Sequence, residues 1–182
     1  MFAKDKMTLS RHMPAIPEHK TKPLAYVLLV LFVSGLFGLC WAKPFAGLII
    51  ALLATTGWMF SVVEKRRLRK MAEARKEESI CSFARSFDRH SVDMWIVRAV
   101  YEGLQKYMES DHDRFPIRAK DRIDKDLDID CEDLDDLAYD VGARAGYDMT
   151  QTKDNPLFGR VATVEDMVMF LMHQPKLKGD EK

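Results

Sequence analysis

Two uncharged apolar runs separated by two residues constrain this chain more than any other feature. Leu24–Ala42 reads LAYVLLVLFVSGLFGLCWA and Phe45–Val63 reads FAGLIIALLATTGWMFSVV, with only Lys43 and Pro44 between them. Each run is 19 residues long, close to the roughly 20 that a helix needs to cross the hydrocarbon core of a bilayer. Backbone polar groups in lipid are satisfied only within helices or closed barrels. Two spans with so short a link therefore predict an antiparallel transmembrane hairpin over residues 24–63, in contact with the lipid bilayer. Tyr26, Trp41, Phe45 and Trp58 stand near the ends of the runs, as interfacial aromatics do. Ser34 and Gly38 on the first run, and Gly47, Ala51 and Thr55 on the second, recur at four-residue spacing and would let the helices approach closely. A cleaved signal peptide also fits the first run, with Cys40 and Ala42 before the cleavage point, but the second run would still hold the protein in the membrane. Leu39 is too bulky for a lipoprotein anchor at Cys40.

Charge supplies the orientation. The chain balances 28 basic against 28 acidic residues, yet the charges are segregated. Met1–Lys22 carries five Lys/Arg against two Asp/Glu, and Lys65–Lys76 carries seven against one. Glu109–Asp140 holds 13 acids and 5 bases, a net of −8. Basic flanks stay on the cytoplasmic side, so a multi-pass protein of the inner (plasma) membrane with both termini cytoplasmic is expected. Residues 1–23, polar and broken by Pro14, Pro17 and Pro23, predict a disordered cytoplasmic arm, with a short interfacial helix as the alternative. Residues 64–90 predict a basic juxtamembrane helical linker that continues the second span and then forms a short amphipathic piece at Ile80, Phe83, Ala84 and Phe87. Nucleic-acid binding by this basic run is not expected, because it has no interleaved aromatic platform and an acidic region follows.

Residues 91–174 carry three helical patterns and no β alternation, so the fold class is all-α. Val92, Trp95, Ile96, Ala99, Val100, Leu104, Tyr107 and Met108 recur at helical spacing, with Ser91 as the expected N-cap. A polar loop follows, with Phe115, Ile117, Ile123 and Leu127 as apolar anchors. The next helix opens near Cys131 or Glu132, buries Leu134, Leu137, Ala138, Val141 and Ala145, and ends at Gly146. Its Asp133, Asp136 and Asp140 are expected on the opposite face. Residues 147–160 predict loop with one short helical turn. Thr163-Val164-Glu165-Asp166 announces a last helix, Pro175 ends it, and residues 175–182 read as a polar tail.

Asp126-Leu127-Asp128-Ile129-Asp130 before an acidic helix, with Thr163-Val164-Glu165-Asp166 before the last one, resembles acyl carrier proteins over roughly Val92–Gln174. The resemblance implies a small helical bundle. In carriers a serine follows the last Asp and takes the phosphopantetheine arm; here the residue is Cys131, followed by Glu132-Asp133-Leu134. The pattern is closer to a group of small bacterial proteins of uncharacterised function that lack the serine. Transfer of the arm builds a phosphodiester on a hydroxyl, so a thiol implies no prosthetic group and no cofactor.

A helix N-terminus favours a thiolate, but Asp126, Asp128, Asp130, Glu132 and Asp133 oppose one at Cys131, so Cys131 reads as a small residue at a helix start. Asp124, Asp126 and Asp128 stand at positions 1, 3 and 5 of an EF-hand-like loop, but Ile129 replaces the required glycine and Asp135 the final glutamate. No metal is expected. The three cysteines are scattered and suit a reducing compartment. The function expected is binding, not catalysis: a membrane-anchored protein-interaction module whose Asp133, Asp136 and Asp140 dock a basic protein surface. The alternatives are a membrane-tethered acyl carrier in lipid or envelope-glycan metabolism and a thiol-based sensor.

Overall fold

The computed structural model describes residue 13, residues 23–109 and residues 115–177 of the chain. The expected arm at residues 1–23 therefore lies outside the described residues except for Met13, which is buried, and Pro23, which opens the first helix. The described residues form six α-helices and a 3-10 turn, with no β-strand among them, and fall into two compact units: residues 23–67 belong to one, and Met13 with the residues from Leu68 onward to the other.

In the first unit, α1 spans Pro23–Ala42 and α2 begins at Pro44 and runs to Ala74. Each opens on a proline, which suits the first helical position because its missing N–H would have had no partner there. Lys43 alone separates the two helices. The stretch Gly47–Ala74 is long and apolar enough to cross a membrane, and none of its most apolar window is buried. Phe45, Trp58 and Phe60 are 84%, 72% and 71% exposed. The close helix approach expected from small residues is not found at Gly38: a Cβ added at Gly35, Gly38 or Gly57 would meet no atom within 4 Å. Ser34 and Thr55 instead turn their hydroxyls back onto their own helices, bonding the Val30 and Leu52 carbonyls at 2.7 and 2.9 Å, which satisfies them without a neighbouring helix.

The second unit starts inside α2. Leu68 and Ala72 are buried in its core, and Met71 packs against it, so residues read as linker contribute to the domain. Arg75 donates to both carboxylate oxygens of Asp121 at 2.9 Å, and Arg118 pairs with Glu78. Helix α3, Ile80–Arg85, buries Phe83, whose ring meets those of Phe87 and Tyr101 at 5.2 Å each.

Helix α4 spans Met94–Met108 and is capped by Asp93, which accepts from the Trp95 N–H at 2.9 Å. Ser91 was the expected cap. The Ser91 and Val92 N–H groups instead bond the Asp88 carbonyl in a turn, at 3.2 and 2.9 Å, and the helix waits for the next good acceptor. Ile96, Val97, Ala99, Val100, Leu104 and Met108 are buried at the centre of the unit. Beside them Glu102 is buried between Arg98 on its own helix and Arg144 of the next, at 2.9 and 2.5 Å.

The polar-looking loop that follows is held from within. Phe115, Ile117, Ile123, Leu127 and Ile129 are all buried, and its backbone pairs with the start of the last helix: Ile123 N–H to Ala162 O at 3.0 Å and Val164 N–H to Asp121 O at 3.1 Å. Helix α5 then spans Cys131–Ala145 and ends on Gly146 at φ 85°, the left-handed geometry glycine adopts without a Cβ clash. The 3-10 turn at Thr152–Asp154 leads to Asn155, whose buried amide donates to the Phe170 carbonyl at 2.8 Å. Helix α6, Val164–Met172, opens with the reciprocal cap expected of Thr163 and Asp166. The start of the expected polar tail is pinned, since Leu177 N–H bonds Gly146 O at 2.8 Å and Lys176 bridges to Tyr147; residues 178–182 lie outside the described residues.

Candidate partner-docking face

The acids of the 124–137 stretch have separate jobs. Asp124 pairs with the Arg122 guanidinium at 3.0 Å, which holds its carboxyl below the usual range. Asp126 accepts from the Arg122 backbone N–H at 2.8 Å. Asp128 adopts φ 55° and turns the chain. Asp130 caps α5, accepting from the Glu132 and Asp133 N–H groups at 3.0 and 2.9 Å. Among the described residues no group of three or more His, Cys, Asp or Glu side chains is placed to hold a metal ion.

Cys131 is the first residue of α5 and is exposed, as is Cys81; both are free thiols. His90 is exposed in the turn before α4, His173 caps the end of α6, and His112 lies outside the described residues.

The three predicted docking residues differ in setting. Asp136 is exposed. Asp133 is exposed, but its carboxylate accepts the hydroxyl of Tyr107 from α4. Tyr107 is held protonated well above the usual phenol range, first by burial and then by that bond and the nearby charges of Asp133, Asp130 and Asp128. Asp140 is half-buried, because the side of α5 that carries it turns toward α4. The outward face of the first two turns is instead Glu132, Asp135 and Asp136. Neither Glu132 nor Asp135 is singled out from sequence; at 100° per residue Glu132 lies almost opposite Leu134 and Val141, but Asp135 is no farther round than Asp140, and only the packing of the Asp140 side against α4 separates those two. These carboxylates near the positive end of the helix dipole are also favourably placed for α5 itself.

One edge of this face drops into an open groove of about 510 Å³ between α5, the 149–161 loop and α6, with Cys131, Asp135 and Asp136 on its rim. Leu134, Ala138, Tyr139, Met149, Phe158 and Met167 make most of its wall and floor. A smaller recess of about 190 Å³ lies on the other side of Cys131, toward Arg122 and Asp130.

Comparisons with family models, with curated proteins and with solved structures each return no match to this chain.

Proposed function

We propose that this protein is a membrane-anchored interaction module that works by binding. In this reading α1 and the apolar part of α2 form a two-span hairpin with both termini cytoplasmic, and a carrier-like helical domain presents α5 to a basic protein surface. The single observation that carries the reading is the outward set Glu132, Asp135 and Asp136 on α5, a helix with five acids and one base, Arg144, which is already paired with Glu102. Charge complementarity of this kind sets association rate and partner choice and weakens with salt. The anchor is supported by the exposed apolar side chains of α2, which water would leave unsatisfied, and by the basic residues that follow Val63. Cys131 offers a thiol where carriers present a hydroxyl, which favours binding over group transfer.

The test is affinity capture from membranes in mild detergent, comparing the native protein with a Glu132→Lys/Asp135→Lys/Asp136→Lys variant and with Asp133→Lys/Asp136→Lys/Asp140→Lys. The native protein should retain specific partners that rising salt releases, and the first variant should lose them. Recovery of the same partners by native protein and both variants would show that α5 is not the docking surface.

A further inference from the structure

We propose that the groove beside α5 is the apolar half of the docking site, and that its occupant is a bulky apolar side chain carried on a basic amphipathic helix of a partner protein. The inference rests on the acidic-face reading and adds a pocket to it. Tyr139 and Phe158 flank the opening at 56% and 47% exposure, and Met149 and Met167 lie deeper in the groove. Two exposed aromatics over a methionine-lined hollow form the kind of adaptable apolar socket that accepts one anchor residue. Its size falls within the range of pockets that enclose ligands of some hundreds of cubic ångströms.

The rim selects the occupant. Asp135 and Asp136 stand on the α5 side, Glu132 is on the same exposed face, and among the described residues no Lys or Arg lines the groove; Lys153 and Arg160 belong to the loop that walls it, both exposed and next to lining residues rather than among them. A fatty acyl chain brings a carboxylate or phosphate head that these carboxylates would repel. A helix with Lys or Arg one turn from an apolar residue places charge against Asp135 and Asp136 while the anchor enters. The groove and the carboxylates then act as one surface: charge brings the partner, and apolar burial retains it.

The experiment uses the full chain in phosphatidylcholine nanodiscs with ¹³C-methyl methionine, observed by NMR. One probe is a synthetic Lys/Leu amphipathic peptide with a central Trp; the second has equal charge with every apolar residue replaced by Ser; the third is lauric acid. The Lys/Leu peptide should shift the Met149 and Met167 methyl signals and leave that of Met108, buried away from the groove, unmoved. Tyr139→Ala and Phe158→Ala, both exposed and so tolerable to the fold, should each weaken its binding about tenfold. Peptide binding that leaves both methyls still would overturn the groove inference and preserve the acidic face. Failure of both peptides to bind would overturn both. Methyl shifts with lauric acid and not with peptide would assign the groove to an acyl chain, and shifts that depend on protein concentration alone would assign it to a second copy; either overturns the proposal.

Discussion

Asp128 is the only non-glycine residue at positive φ among those described, at 55°. Its neighbour Ile129 is buried and donates to the Ile123 carbonyl at 3.0 Å, so the turn is what brings that side chain inward. Aspartate tolerates the left-handed region better than most residues, and a β-branched side chain does not. Asp128→Val should therefore lower stability by about 1–2 kcal/mol, and Asp128→Gly should stay close to the native value; denaturant unfolding in detergent measures both. The sequence DKDLDIDCEDLDDL looks like one acidic cluster because spacing displays charge and hides partners. Arg122 pairing with Asp124 and the cap at Asp130 are contacts of individual oxygens and the turn at Asp128 is a backbone angle, and only the cap carries a positional signal in the chain, a residue before an apolar period.

At the scale of elements, α5 was legible because both its ends are local: acids in the first turn and Gly146 after the last. The start of α4 was read two residues early because Ser91 and Asp93 are both good caps, and the turn from Asp88 that occupies the Ser91 N–H has no sequence signature. Gly103 was not legible at all. It stands mid-helix in α4, where a Cβ would come within 2.4 Å of a Val141 methyl on α5, and Val141 is too well buried to move aside. Gly103→Ala gains helix propensity but overpacks this crossing, for a net loss of about 1–2 kcal/mol, which thermal unfolding should register.

The pairing of Glu78 with Arg118 adds a pH dependence. The hydrogen bond from Arg118 holds the Glu78 carboxyl below its ordinary value of 4.5. A depressed carboxylate contributes stability above its unfolded value, and that contribution is lost as pH falls through the lower folded value. Glu78→Gln should thus be less stable than native at pH 7 by under about 1 kcal/mol, and the gap should close in acid. Asp121 works in the opposite sense: burial raises its carboxyl despite Arg75, so its own contribution improves on acidification. Melting curves of Glu78→Gln against native across pH isolate the first effect.

For the whole molecule, the proposed hairpin makes a topological statement. Lys43 would face away from the cytoplasm while Cys131, exposed on the second unit, would face it. A membrane-impermeant thiol reagent applied to intact cells should label Lys43→Cys and leave Cys131 unlabelled until the cells are opened. Labelling of Cys131 in intact cells would contradict the orientation. All-helical character and the apolar span were legible because they depend on local periodicity and length. The extent of the second unit was not, since a basic stretch and a core contribution can share one helix on different faces: Arg69 and Lys70 point outward where Leu68 and Ala72 point in.

That shared helix decides where the chain can be cut. Leu68, Ala72 and Phe83 fill the interior of the second unit, and Arg75 neutralises buried Asp121. A fragment begun at residue 91, where the sequence pattern suggests a tidy boundary, would therefore expose an apolar hollow and leave a carboxylate unpaired, and should aggregate. A fragment begun at Leu68 keeps Leu68, Ala72, Phe83 and Arg75 and gives up only Met13 of this interior. During synthesis the residues that complete this interior leave the ribosome before the helices they pack against, so the second unit is assembled onto chain that directly follows the apolar stretch of α2.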